Sequence, residues 1–385
     1  MVRLDLSADQ ELFRDTTRRF LEDSCPVLGV RALADAGGGF DRAWWRQGAA
    51  LGWTSLLVPD EHGGSASMAR GLVDVALVAE VMGAFVSPGP LLPANVVAAA
   101  LAASGSSEQK ARVLPGLASG ELVASWCLAE AAGGWRPDDV STTAERRDGG
   151  FVLTGVKSPV EAADDADLLL VPARVDGELA QFLVPRSAPG LEIVPLRCLD
   201  LVRHYSEVRL SGVAVPTGAL VGEIGRTAAE VEHLLAVALV LQCAEATGAA
   251  VRVLELTVEY SFDRFSFGRP LASYQALKHR FADMRLWSES CQATTDAAAV
   301  AVAERRPDAL HLARVAKAYV GDHAPAIVQD CIQLHGSIGV TWEHDLHLYL
   351  RRVTVDRAVF GTPPEHRIAL GSPMIAGSRE EDDGT

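Results

Sequence analysis

The sequence is short of positive charge and of any apolar segment near its first residue. Its 35 Lys and Arg residues against 50 Asp and Glu residues give a formal net charge of −15. That balance argues against a general binder of nucleic acid or of anionic membranes, because both need a positive surface field. The opening residues MVRLDLSADQ contain no apolar signal core, so we expect no export signal.

Paired cysteines and several ligand motifs are also missing. The six cysteines are at least 40 residues apart and form no CxxC pair. We therefore expect no structural zinc, and scattered thiols fit a reducing cytoplasm. EHDLH (343–347) lacks the spacing of a known metal site, so we expect no metal. No GxGxxG, Walker A or serine-hydrolase elbow is present.

Three regions differ in the period of their apolar residues. Residues 1–121 are predicted to be helical, and Ser7 with Gln10 forms a capping-box start. Short Val-rich runs separated by Gly, Pro and Asp fill 122–226 and predict an antiparallel β-domain of about six to eight strands. Four long helices are predicted within 227–375. The acidic tail 376–385 is predicted to be disordered.

One apolar run in the third region contains a single carboxylate. LLAVALVLQCAEATGAAV, Leu234 to Val251, has Glu245 as its one ionisable acid. Gln242 and Glu245 lie at its centre, and a charge at the middle of a bilayer costs roughly 2.5–3.5 kcal/mol. The run therefore predicts a buried core helix and not a membrane span.

Two motifs suggest contacts with an anionic ligand. RFSFGRPLASYQALKHRFADM (264–284) places Arg264 and Arg269 around a glycine just before a helix, where arginine forks could bind phosphate oxygens. In QDCIQLHGSIGVTWEHDLHLYLRR (329–352) a helix stops at a glycine-rich turn whose backbone N–H groups could hold an anion. Each motif alone is also compatible with an ordinary turn.

Together with VPDEHGG (58–64) and SWCLAE (125–130), these motifs resemble the acyl-CoA dehydrogenase family over nearly the whole chain. The resemblance implies an α+β multidomain fold with an N-terminal α-helical domain, a central antiparallel β-barrel and a C-terminal four-helix bundle. It also implies FAD as cofactor, an acyl-CoA substrate, an electron-transfer flavoprotein as electron acceptor, and a tetramer in which a neighbour completes each flavin site. A looser similarity links the chain to members from steroid-degrading bacteria.

The same resemblance implies four groups of cofactor contacts. The residues along the flavin ring are Trp126, Leu128 and Ala129. Those at the pyrophosphate and adenine end are Arg264, Phe267 and Gln275. Those that reach the dinucleotide from a partner subunit are Gln333, Gly336 and Ser337. Thr362 is expected near the cofactor.

The chain departs from the family pattern close to the flavin. Ala129 replaces a hydroxyl residue, Trp135 stands at a serine position, and Pro159 and Glu161 replace a tryptophan–threonine pair. The side-chain hydrogen bonds of these positions to the flavin are lost, and only backbone hydrogen bonds could replace them.

Both usual positions of the catalytic base also lack an acid. The family's reaction needs a carboxylate that removes the α-proton of the thioester while the β-hydrogen leaves as hydride. Phe360 occupies the first position, in VFGTPPEHR (359–367), and Ala238 the second. Glu245 lies two helical turns beyond Ala238, so Ala238, Gln242 and Glu245 share one face. We therefore predict Glu245 as the base.

The environment of Glu245 decides between two roles. Apolar surroundings would raise its pKa, as a general base requires. The alternative is a structural Glu245 bonded to a hydroxyl or to Arg252. We predict that Phe360, Ala238 and Gln242 line the substrate site, with the Phe360 backbone N–H donating to the thioester carbonyl. The small Ala238 favours a roomy acyl pocket that would suit branched or polycyclic chains.

Two other functions remain open at this point. The missing acid and the altered barrel contacts are compatible with a non-catalytic partner that supplies half of each flavin site in a heterotetramer. An oxidase or monooxygenase on the same fold would instead reduce oxygen directly.

Overall fold

The computed structural model describes residues 6–66, 70–131 and 133–371. The acidic tail 376–385 lies outside these residues. Six helices form the N-terminal region: α1 (Ala8–Ser24), α2 (Val27–Asp35), α3 (Arg42–Ala50), α4 (Leu72–Ala84), α5 (Leu91–Ser104) and α6 (Ser107–Ala118). The predicted capping box is confirmed, because the Gln10 N–H donates to Ser7 Oγ (3.2 Å) and the Ser7 N–H donates to Gln10 Oε1 (3.0 Å).

The central region is a sheet of eight strands. They are β1 (Ala124–Trp126), β2 (Thr143–Arg147), β3 (Gly150–Glu161), β4 (Leu168–Val175), β5 (Glu178–Pro185), β6 (Leu191–Pro195), β7 (Tyr205–Pro216) and β8 (Leu220–Val221). The order is β6-β7-β3-β2-β4-β5-β8, with β1 beside β4. Most neighbours are antiparallel as predicted, but β1 and β2 both pair with β4 in parallel. Alternating hydrophobicity does not report strand direction, so the sequence could not distinguish these two pairs.

The C-terminal region contains four long helices, as predicted. They are α7 (Thr227–Asp263), α8 (Gln275–Ala303), α9 (Ala309–His335) and α10 (Leu346–Ala358). A hairpin of β9 (Phe265–Ser266) and β10 (Arg269–Pro270) joins α7 to α8. A further helix, α11, covers 363–371.

Helix α7 is the core of this region. It is long and apolar enough to cross a membrane, yet 94% of its most apolar window is buried within the protein. Two glycines let α4 approach it closely. A Cβ on Gly83 would lie 2.0 Å from the Glu245 carbonyl oxygen, and one on Gly248 would lie 1.9 Å from that of Glu80. The prediction of a buried core helix is confirmed.

A histidine links the N-terminal region to the sheet. His204 Nδ1 lies 3.2 Å from Asp164 Oδ2, and Nε2 lies 2.8 Å from the Gly37 carbonyl oxygen. Both partners accept hydrogen bonds, so the doubly protonated imidazolium satisfies both contacts. The bond to Asp164 raises the pKa of His204 above its ordinary value of 6.5.

This link makes stability depend on pH. Because the folded-state pKa of His204 is raised, its contribution is fully present below the unfolded-state pKa and is lost as pH rises through the folded value. We expect His204→Gln to lower the melting temperature more at about pH 5.5 than at about pH 8.5. Thermal unfolding at the two pH values checks this, and an equal loss at both would contradict it.

Candidate functional site

The residue at the position of the usual base packs between two tryptophans. Phe360 follows α10, Trp126 ends β1, and Trp135 lies in the turn after it. The Phe360 ring centroid lies 6.2 Å from that of Trp126 and 4.9 Å from that of Trp135. Phe360 is buried and its φ is +60°. We call these three side chains the aromatic plug.

The plug leaves little room where the flavin ring is predicted. Leu128 and Pro159 line a cavity there, together with Trp126, Trp135 and Phe360, and its volume is only about 10 Å³. A larger cavity of about 380 Å³ also borders Trp135 and Phe360. Its lining, within the part of the chain that the structure describes, includes none of the predicted flavin-ring contacts Trp126, Leu128 and Ala129.

A buried ion pair anchors the segment that carries Trp135. Lys157 Nζ donates to Glu130 Oε1 at 2.7 Å, and the Lys157 side chain is fully buried. Glu130 also accepts from the backbone N–H of Ser141 (3.0 Å) and of Thr142 (2.9 Å) and from both their hydroxyls. Burial alone would raise the pKa of Glu130, but Lys157 and these donors lower it to about 2. The carboxylate thereby holds both ends of the 130–142 segment.

Glu245 does not lie in apolar surroundings. Arg203 Nη2 contacts both of its carboxylate oxygens at 2.6 Å, and Arg352 Nη1 contacts Oε1 at 2.6 Å. Burial would raise the pKa of Glu245, but the two guanidinium groups outweigh it and the pKa is lowered. The predicted raised pKa is therefore wrong. Arg252, the partner expected for a structural Glu245, instead lies 3.6 Å from Glu255.

Further charged groups surround these two arginines. Arg203 reaches Glu161 (3.2 Å) on β3 and Asp356 (3.1 Å) on α10. Arg352 contacts Asp200 and donates to the Ser87 carbonyl oxygen at 3.2 Å. The cluster thus joins the N-terminal helices, the sheet and the bundle.

The predicted substrate face is filled by this cluster. Ala238 is fully buried in α7. Gln242 accepts a hydrogen bond from Lys317, whose Nζ also donates to the Val359 carbonyl oxygen at 2.8 Å. Because charged side chains occupy the face that Ala238 shares with Glu245, the predicted roomy acyl pocket is absent from the described structure.

The buried charges nearly balance. We call the following seven side chains the charge cluster: Arg203, Arg352, Lys317, Glu161, Asp200, Glu245 and Asp356. Its three cations face four carboxyl groups. Burial raises the pKa of Asp356 well above its ordinary value, and burial likewise raises the pKa of Glu161. One retained proton on these two carboxyls makes the cluster neutral, which lowers the cost of burying it.

The predicted dinucleotide contacts lie together at one end of the bundle. Arg264 ends α7, and Phe267 lies at the tip of the hairpin, 97% exposed with φ +49°. Gln275 begins α8 and is exposed. Three further residues are exposed where α9 ends: Gln333, Gly336 and Ser337. The rings of Tyr260 on α7 and His335 on α9 stack 4.3 Å apart, which brings the two helix ends together.

This end of the bundle is far from the aromatic plug. Leu235 borders the same cavity as Phe360, and Arg264 follows Leu235 by 29 positions along α7. At the helical rise per residue that separation is roughly 40 Å. One chain therefore cannot offer both groups of predicted contacts to a single dinucleotide. Thr362 belongs to the plug end, where its N–H and hydroxyl donate to Glu365 at 2.6 and 2.7 Å and begin α11.

The two ends of the predicted FAD site differ in how well they suit the cofactor. The dinucleotide end offers an exposed arginine and an exposed glycine turn. The ring end offers no hydroxyl at Ala129 or Trp135, and the plug occupies its volume. The residues at the ring end of this chain do not fit a flavin.

Comparison with known proteins places the chain among relatives of one kind. Its residues 7–121, 125–206 and 225–371 match the N-terminal, middle and C-terminal domains of acyl-CoA dehydrogenases. The acyl-CoA dehydrogenase IpdE2 of Mycobacterium tuberculosis is 30% identical over 93% of this chain and 94% of the relative.

Solved structures agree with that match. The Tcur3481–Tcur3483 steroid ACAD is 27% identical with a TM-score of 0.86, covering 96% of this chain and 99% of that one. A glutaryl-CoA dehydrogenase from Mycobacterium smegmatis in complex with FADH2 has the same fold, with 24% identity and a TM-score of 0.86 over 96% of this chain and 95% of that one. The chain belongs to the acyl-CoA dehydrogenase family.

Proposed function

We propose that the chain is a subunit of an FAD-dependent acyl-CoA dehydrogenase that converts an acyl-CoA thioester to the trans-2-enoyl-CoA in lipid or steroid catabolism. The flavin supplies the hydride acceptor for this reaction. An electron-transfer flavoprotein is the proposed acceptor of the electrons. The proposal rests on family membership over nearly the whole chain and on the exposed arginine–glycine surface at the end of the bundle.

The observation that carries the proposal is the pairing of Arg264 with the glycine turn. An exposed guanidinium and exposed backbone N–H groups, presented side by side, suit a diphosphate. Gly336 has φ +65°, a conformation that glycine adopts without strain. Phe267, with almost its whole side chain in solvent, offers a flat ring on which an adenine could stack.

Removing the Arg264 guanidinium is expected to weaken FAD binding. A hydrogen bond to a charged group contributes about 1.5–3 kcal/mol, so Arg264→Ala should reduce affinity roughly 10- to 150-fold. Arg285→Ala is the matched control, because Arg285 is an exposed arginine on α8 that pairs with Glu289 at 2.6 Å. Flavin titration of the assembled protein measures both, and equal affinities would remove Arg264 from the site.

The reaction itself is tested on the assembled protein with the subunits that accompany it. Under anaerobic conditions a panel of acyl-CoA thioesters is titrated while the flavin absorbance is followed. We expect at least one thioester to bleach the flavin, and the electrons to pass faster to an electron-transfer flavoprotein than to oxygen. Loaded flavin that no thioester reduces would contradict the proposed function.

The role of Glu245 as the base stays a prediction, and its contacts favour the structural alternative. A general base must be free to take a proton from the substrate. Both carboxylate oxygens of Glu245 contact Arg203, and the lowered pKa opposes protonation. The Phe360 backbone N–H likewise keeps its predicted role toward a thioester only if the aromatic plug opens.

A further inference from the structure

The ring end of this chain is closed by a segment that is tied at several points. Glu130 bonds to Ser141 and Thr142, as described above. Arg174 on β4 adds bonds to the carbonyl oxygens of Val140 (2.7 Å) and Pro137 (3.1 Å). The turn that carries Trp135 is thus fixed to the sheet on both sides. Closure by the aromatic plug is a property of the packed sheet and not of a loose loop.

The chain also offers no free carboxylate beside the plug. Glu245 is held by two arginines, and Glu161 lies 3.2 Å from Arg203. Glu365 accepts from Thr362 at the start of α11. Each of the nearest acids in the described structure therefore has a structural partner.

The opposite end of the chain is open and apolar. Around Arg264 lie large exposed side chains, with exposed fractions of 63% for Phe262, 61% for Phe265, 72% for Val340 and 48% for Trp342. Exposed apolar patches of this kind mark surfaces that another protein covers. An arginine within such a patch would be placed to reach a ligand held by the covering chain.

These observations constrain the partner. If the partner were a second copy of this chain, it would bring only another closed ring end and no free carboxylate. We infer that the partner is a different chain of the same fold, which holds the flavin ring and carries the carboxylate base, while this chain supplies Arg264 and the glycine turn to that flavin. The inference rests on the proposed function and names its missing subunit.

Co-expression tests the inference. The tagged chain is produced alone and together with each related chain of the same genome that carries an acid at the position of Phe360. The FAD content of each purified product is then measured. We expect the lone chain to hold at least tenfold less FAD per chain than the correct pair, and that pair to hold half as many FAD molecules as chains. One FAD per lone chain, or no related chain that holds FAD with it, would overturn the inference.

A variant pair within the complex gives a second readout. Arg264→Ala in this chain should weaken FAD binding to the pair at least tenfold, whereas Arg285→Ala should leave it unchanged. Unchanged binding for Arg264→Ala would overturn the inference. Failure of the proposed function looks different, because the pair would then hold FAD that no acyl-CoA reduces. A lone chain that holds FAD and is reduced by acyl-CoA would support the function and overturn the inference.

Discussion

Replacing Glu245 by glutamine is expected to lower the free energy of unfolding by about 3–5 kcal/mol, the usual cost of removing one partner from a buried ion pair. The amide keeps the shape of the side chain but leaves Arg203 and Arg352 without their shared countercharge. Arg352 is fully buried and Arg203 nearly so, so water cannot replace the lost carboxylate. Denaturant unfolding of the purified chain measures the change.

Glu255→Gln is the matched control for that variant. Glu255 lies on the same helix in an exposed pair with Arg252, where the expected loss is about 0–1 kcal/mol. A Glu245→Gln loss no larger than that of the control would contradict a structural role. It would return Glu245 to the role of base, because a catalytic carboxylate free of partners tolerates a nearly isosteric amide.

Replacing Glu130 by glutamine is expected to cost a similar amount, about 3–5 kcal/mol, because it leaves the Lys157 ammonium buried and unpaired. The pKa of Glu130 is lowered in the folded state to about 2. Its contribution is therefore present above the unfolded-state pKa and is lost as pH falls toward about 2. The stability difference between wild type and variant should shrink over that range.

The control for Glu130 is an exposed carboxylate of the same sheet. Glu145 on β2 pairs with Arg147 at 2.8 Å in solvent, so Glu145→Gln should change stability by about 0–1 kcal/mol. Unfolding is measured from neutral pH down to the acid limit of the fold. A Glu130→Gln loss that stays constant across this range would contradict the assigned ion pair.

The sequence predicted the order of the domains because the period of the apolar residues changes twice. The change from helical spacing to alternation, and back, can be read from local residues alone. The buried position of α7 could also be predicted, since an apolar run with a central acid suits a protein core better than a bilayer. These features depend on neighbours along the chain.

The surroundings of Glu245 could not be predicted in the same way. Arg203 and Arg352 lie 42 and 107 positions from it in the sequence and come from different regions of the fold. One signal was available. On α10, Arg352 shares a face with Leu348, Tyr349 and Asp356, all buried. An arginine on an apolar helix face, with an acid one turn further on, indicates a buried ion pair.

The aromatic plug illustrates a second limit. The sequence marked Trp135 and Phe360 as separate departures from the family pattern, one in the turn after β1 and one after α10. Only the folded chain brings their rings to 4.9 Å. A pairwise contact between residues 225 positions apart has no local signature, so two absences could be seen but not the closure that they produce.

The most direct test is an experimental structure of the assembled protein with FAD and an acyl-CoA bound. The position of the flavin ring is the quantity to measure. We predict that the ring lies against the partner chain, that Arg264 of this chain contacts its pyrophosphate, and that Phe360 stays between Trp126 and Trp135. A flavin ring seated against Trp126 and Leu128 of this chain, with Phe360 displaced, would contradict the closed ring end.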